Sequence, residues 1–243
     1  MFETFVALLF AHLVGDFVLQ SKWMVDRKGQ IHVLLLHVVI HLALSAAALG
    51  TAAALPFAIL ALTHFAFDFV KIQHGGGFAA FMSDQAGHLA VIAGLAVAFP
   101  SLFSAGSWAI GRPPLAAPAP ELLPLYLSAL IVASGLIATL LAARYGIEIF
   151  MSSFALEPDH GDDAGLPKGG LYIGLLERAL VFLFVLTGQF TSIGFLIAAK
   201  SVLRFGVAND RKMSEYVIIG TLLSFGWAIA TASLTRVGLD AIG

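Results

Sequence analysis

Eight mostly apolar stretches, each near the roughly twenty residues that a helix needs to cross a bilayer, follow one another along the chain. They are residues 2–20, 31–50, 53–72, 85–103, 122–143, 171–188, 190–206 and 215–235. A chain of this kind has few ways to fold. In hydrocarbon each backbone N–H and C=O must find its partner within the protein, which a helix achieves inside its own segment. Composition agrees: 59% of residues are apolar and 12% charged, against about 45–50% and about a quarter in soluble domains. The mean hydropathy of +0.94 excludes disorder, a coiled coil and a small secreted scaffold. The expected fold class is all-α, a polytopic integral membrane helical bundle of seven or eight transmembrane helices in two four-helix halves.

The halves are separated by a break in pattern. Gly111-Arg112-Pro113-Pro114 and the Ala-Pro repeats after it have no helical period. This predicts an N-terminal membrane half over residues 1–103, a Pro/Ala linker over 104–121 and a C-terminal membrane half over 122–243. The sixth and seventh stretches are short, with only Gly188 to Ser192 between them, so a tight turn or a re-entrant pair is an alternative to two full spans. Met1-Phe2-Glu3 lacks the basic start of a signal peptide, and the first stretch is expected to stay as an anchor.

With eight alternating helices, one side of the membrane collects Lys22, Arg27, Lys28, Lys71, Arg144, Lys168, Arg204, Arg211 and Lys212, and the other only Arg112 and Arg236. The bias of Lys and Arg toward cytoplasmic loops predicts an inner-membrane protein with both termini in the periplasm. The net charge of −2 supplies no basic footprint for nucleic acid. The absence of cysteine leaves imidazole and carboxylate as the available metal ligands.

Such ligands recur. His12-Leu-Val-Gly-Asp16-Phe17-Val18 near the end of the first stretch returns as His64-Phe-Ala-Phe-Asp68-Phe69-Val70 near the end of the third. The second stretch carries His37 and His41, and the fourth begins with Asp84 and His88. Residues four apart share a helix face, and alternating direction puts all four pairs at a similar depth. A lone intramembrane histidine is commonly a hydrogen-bonded packing residue, and a lone aspartate near a helix end a cap. Eight such residues differ, because each charge in the bilayer costs roughly 2.5–3.5 kcal/mol and a metal cluster offsets that cost. Five histidines and three carboxylates without sulfur suit divalent zinc, iron or manganese, here two ions. Gln20, Lys71 and Gln85 stand beside these residues and could orient a ligand or substrate. His32, His74 and His160 fall at helix ends or in a loop, where solvated roles are expected.

The C-terminal half carries Arg144 and Glu148, Glu177 and Arg178, Lys200 and Arg204, and Glu215. Ion-paired anchoring at the membrane surface explains most of them. The alternative is that Lys200 and Arg204, one turn apart, hold a phosphate or carboxylate with Glu177 orienting them.

These residues together, His12-Leu-Val-Gly-Asp16-Phe17-x-x-Gln20, the His37/His41 helix, His64-x-x-x-Asp68, Asp84-Gln85-x-x-His88, Glu177-Arg178, Lys200-Ser201-x-x-Arg204-Phe205 and Gly220-Thr221-x-x-Ser224, resemble the bacterial membrane family catalogued as domain of unknown function 3307. The resemblance runs over nearly the whole chain and implies no activity. More loosely, the His and Asp pairs look like those of inner-membrane metal-dependent hydrolases.

Two functions use these residues. As a metal-dependent hydrolase of a phosphoester or lipid-linked substrate at the cytoplasmic side, the chain would employ His12, Asp16, His37, His41, His64, Asp68, Asp84 and His88 as ligands, and Asp16, Asp68 or Asp84, whichever is uncoordinated, as general base. Lys71, Glu177, Lys200 and Arg204 would bind the anionic small-molecule or lipid substrate. As a metal or proton transporter, the same cluster would line an ion path, although the outer halves of the helices are almost purely aliphatic. Haem is poorly served by three carboxylates, and a purely structural membrane protein would bear intramembrane charge without return. The orientation has a direct test in this cysteine-free chain. An impermeant thiol reagent applied to intact cells is expected to spare Asp26→Cys and label Leu115→Cys; the reverse pattern inverts the topology.

Overall fold

The computed structural model describes residues 1–110, 122–154, 168–204 and 211–242, without the side chains of His74, Leu203 and Arg204. His160, the acidic loop around it and the linker from 111 onward lie outside the described residues. The described residues form helices and no strand, as the apolar runs require.

In chain order these are α1 (Phe2–Val14), a π-helical turn (Gly15–Leu19), α2 (Lys22–Arg27), α3 (Ile31–Leu49), α4 (Ala54–His74), α5 (Phe78–Ala98) and the short α6 (Ser107–Ile110). Then come α7 (Leu123–Ile137), a second π-helical segment (Ala138–Ala142), α8 (Ala143–Ser152), α9 (Gly169–Leu186), α10 (Phe190–Arg204) and α11 (Arg211–Asp240). Among the described residues, seven spans are long and apolar enough to cross a membrane: Phe2–Leu19, Ile31–Leu49, Ala54–Gln73, Phe78–Ala98, Leu123–Ser152, Gly169–Leu186 and Arg211–Asp240. The seventh stretch of the sequence gives a shorter apolar helix, Phe190–Val202. The protein is a multi-pass membrane protein.

Its side-chain distribution is that of a body in lipid. Leu62 is 71% exposed, Val97 67%, Leu222 67% and Leu234 71%, all within the spans, while His37, His64 and Asp68 are almost wholly buried. Apolar tails outside make exposed leucine costless, and polar groups must turn inward to find partners.

The chain divides into two units, Met1–Ile137 with Leu239–Gly243, and Ala138–Gly238. In the first, α1 is the central helix and packs on α3, α5 and α7, while α4 packs on α3 and α5. Ala7 and Ala11, one turn apart and without exposed surface, allow neighbouring backbones to come close. Val6, Leu8, Leu49, Ile92 and Leu95 fill the layer around them. The end of the unit nearest the amino terminus is closed by polar contacts. Thr4 Oγ1 donates to Pro100 O at 3.1 Å and accepts from Phe103 N at 3.3 Å, and Tyr126 Oη donates to Ala48 O at 2.9 Å. Gly50 ends α3 in the left-handed region at φ 68°, which favours glycine, and its carbonyl accepts from Ser107 N at 2.9 Å and Ser107 Oγ at 2.6 Å.

In the second unit the π-helical segment leaves carbonyls outside the regular ladder, and side chains claim them. Trp227 Nε1 donates to Ala138 O at 3.1 Å and Arg178 Nη2 to Leu140 O at 3.4 Å, while Thr139 and Thr231 share a hydroxyl contact of 2.7 Å.

The seam between α3 and the turn before α6 is tight. A Cβ at Gly106 would run into the carbonyl of Leu49, whereas one at Gly94 would meet nothing. Backbone cannot yield as a side chain does, so Gly106→Ala is expected to destabilise the detergent-purified protein by about 1–3 kcal/mol, read as a lowered thermal unfolding midpoint, with Gly94→Ala as the unaffected control.

Candidate metal centre

The four ligand pairs arise from α1 and its π turn, α3, α4 and α5, each pair on the inward stripe of its helix. Packing of α1 on α3 and α5, and of α4 on both, brings the stripes together. His12, His37, His41, His64, Asp68, Asp84 and His88 are buried, and the Asp16 side chain is 10% exposed.

The imidazoles stack in a continuous cluster. Ring centroids lie 3.9 Å apart for His41 and His64, 4.3 Å for His64 and His88, 4.6 Å for His37 and His41, and 5.0 Å for His12 and His88. The carboxylates are threaded among them. Asp16 Oδ1 is 3.0 Å from His41 Nε2 and 3.2 Å from His37 Nε2, and Asp68 Oδ2 is 3.4 Å from His37 Nε2 and 3.5 Å from His64 Nε2. Asp84 Oδ1 is 3.4 Å from His88 Nε2.

Three groups of donor atoms, each group within 4.8 Å, follow from this packing: Asp16, His37, His41 and His64; His12, His64 and His88; and Asp68, Asp84 and His88. All eight residues of the four pairs are included. They could hold a metal ion, and the donor set of imidazole nitrogen and carboxylate oxygen fits a borderline divalent cation. A packing network would leave its polar atoms satisfied. Here His64 Nε2, His88 Nε2, Asp68 Oδ2 and Asp84 Oδ1 are buried without a hydrogen-bond partner, and all four belong to the residues of these groups.

The other oxygen of two carboxylates is taken. Lys28 Nζ donates to Asp68 Oδ1 at 2.7 Å and Lys71 Nζ to Asp84 Oδ2 at 2.6 Å. Asp68 and Asp84 each therefore hold an ammonium on one oxygen and turn the other into the cluster. Gln85 ties two helices together: its Nε2 donates to Asp16 Oδ2 at 3.1 Å and Asp84 Oδ2 at 3.3 Å, and its Oε1 is 3.3 Å from His12 Nε2. Gln20 Nε2 lies 3.5 Å from His37 Nε2. A cavity of about 10 Å³, bounded in part by His12, His41, His64, His88, Ser45 and Thr63, is the size of one water.

The structure thus joins the sequence-derived ligands, Gln20, Gln85 and Lys71 in one place. Lys71 engages Asp84 across the helix pair, not Asp68 on its own helix. Glu177 and Lys200 belong to the second unit, where they pair with each other and Lys200 lies over the Phe225 ring. The Arg204 side chain is outside the described residues. His32 is exposed.

Two contributors escaped the sequence. Lys28 reads there only as a charged residue of a connecting loop; it reaches Asp68 because α2, capped by Ser21 accepting from Met24 N at 3.4 Å, folds the chain back over α3. The π turn that carries Asp16 also has no spacing signature. Its only sign is Gly15, whose missing Cβ would overlap the His41 ring.

Residues 4–110 match the family described as protein of unknown function (DUF3307). The match runs from α1 to α6 and holds every member of the cluster, including Lys28, Lys71 and Gln85. No curated protein and no solved structure matches the chain.

Because Gly15 admits the His41 ring, Gly15→Ala is expected to push that ligand out of place and lower bound metal in the purified protein by about one equivalent. Elemental analysis checks this, with Gly94→Ala retaining the full content. Equal metal in both variants would remove His41 from the centre.

Proposed function

We propose that the protein is a metal-dependent hydrolase that binds two divalent ions, zinc, iron or manganese, and acts on a phosphoester or lipid-linked substrate at the cytoplasmic face of an inner membrane. The observation that carries this reading is the inequality of two donor groups. Asp16, His37, His41 and His64 offer four donors, enough to enclose a tetrahedral ion, whereas Asp68, Asp84 and His88 offer three and stand beside two ammoniums. Four protein ligands make a closed structural site, and three leave a position for a reacting molecule.

Divalent ions bound there would polarise a phosphoryl oxygen and acidify water beside them. The protein's own groups then have separable tasks. His37, His41, His64 and Asp16 hold the closed end, and His12 extends it toward His88. The two carboxylates of the three-donor group are equally buried, their side chains 4% exposed for Asp84 and 3% for Asp68, and whichever is uncoordinated would accept a proton from water while the other serves as ligand. Gln85 orients Asp84 and Asp16 together, and Lys71 faces the anionic part of the substrate.

Transport by the same cluster is disfavoured by what lies beyond it. Outward from the cavity the unit is filled by Val6, Leu8, Leu49 and Leu95, which gives a hydrated ion no polar route. The lysines, by contrast, are partly accessible, with side chains 15% exposed for Lys28 and 32% for Lys71.

The deciding experiment reconstitutes the protein in liposomes and assays cleavage of phosphomonoesters, phosphodiesters and phospholipid analogues beside metal and proton flux. Metal-dependent cleavage is expected, reduced at least about a hundredfold by Asp68→Asn, a loss typical of removing one essential group. Flux that depends on Asp68, with no cleavage of any compound, would make the protein a transporter.

A further inference from the structure

The lysines constrain the substrate more narrowly than the hydrolase reading does, and the argument rests on that reading. Lys28 and Lys71 bind Asp68 and Asp84, which belong to the same donor group, so the two ammoniums flank a single centre. With neutral imidazoles, three carboxylates against two ammoniums leave the site one unit negative. The first divalent ion would make it one unit positive, and the second three units positive, in a buried cluster between helices long and apolar enough to span a membrane. Charge of that size is not tolerated in a low-dielectric interior without a counter-charge. A phosphodiester brings one negative charge and leaves two uncompensated. A terminal phosphate or a pyrophosphate brings two or more, with oxygens that ammonium and metal can share.

We propose that the site takes a terminal phosphate dianion or a pyrophosphate, gripped by Lys28 and Lys71, and that this anion and the second divalent ion enter together. Lys28 is then a substrate-binding residue contributed by the connection between the first two spans. The partial exposure of its side chain and that of Lys71 marks the side from which the anion arrives. The chemistry is common to a soluble phosphomonoester and to a lipid with a terminal phosphate headgroup.

Binding of Mn²⁺ to the purified protein by equilibrium dialysis, with electron paramagnetic resonance as a second readout of paired ions, tests this without any turnover. One equivalent is expected to bind in plain buffer, and the second to bind at least about tenfold tighter with inorganic phosphate or pyrophosphate but not with dimethyl phosphate. In the Lys28→Gln/Lys71→Gln variant the second equivalent should no longer need phosphate. The comparison of anions on the unaltered chain decides the matter even if that variant does not fold. Two equivalents bound with equal affinity whatever the anion would overturn the coupling and leave the metal reading intact. No bound Mn²⁺ under any condition would overturn both. Vesicles containing phosphatidic acid in place of soluble phosphate separate the sources: promotion of the second equivalent there, against phosphatidylcholine alone, assigns the phosphate to a lipid, and promotion by soluble phosphate only assigns it to a water-soluble ester.

Discussion

Three carboxylates buried between apolar helices are the condition to which the rest of the first unit answers. Asp16, Asp68 and Asp84 would each be costly beside lipid tails, and Asp16 is met by imidazole and amide, Asp68 by imidazole and ammonium, and Asp84 by all three. The helices that supply these partners must therefore stand close together at one depth. The small residues of α1 permit that closeness. The aliphatic layer beyond, with its polar closure at Thr4, Gly50 and Tyr126, holds the far ends of the helices in register.

Backbone irregularity appears where ordinary helix geometry would not deliver a side chain. The π turn at Gly15–Leu19 lies between a regular α1 and Asp16's contacts with α3, and a π turn commonly marks a functional position in a helix. Its counterpart in the second unit frees carbonyls that Arg178 and Trp227 engage. There a buried guanidinium serves the backbone, and Glu177 is occupied by Lys200. Among the described residues of the second unit, Glu177 and Lys200 thus pair with each other, and Arg178 reaches Ser224 and Leu140 with Nε left without a partner.

Much of this was legible in the sequence, for physical reasons. Spans show themselves because hydrocarbon thickness sets their length. The His and Asp pairs show themselves because a four-residue spacing marks one helix face, and the same spacing in four successive helices of alternating direction places them at one level. What depends on the path of the chain between helices was not legible. Lys28 has no periodic relation to Asp68, and the contact exists only through the turn that α2 makes. Lys71 was visible beside Asp68 in the chain, but its choice of Asp84 is decided by how α4 packs on α5. The shortness of α10, by contrast, was already visible in the short seventh stretch.

The pairing of Lys28 with Asp68 and of Lys71 with Asp84 has a bearing on how such a protein is made. In small zinc domains the ligands repel or scatter until the ion arrives, and folding and metal uptake are one event. Here two of the three carboxylates carry a covalently tethered cation from the moment the chain is synthesised. The bundle can enter the membrane and close with its charges already matched. A metal ion bound there would take the inner oxygens that the ammoniums leave open, on a scaffold already finished. Assembly in the bilayer would thereby not have to wait for an ion.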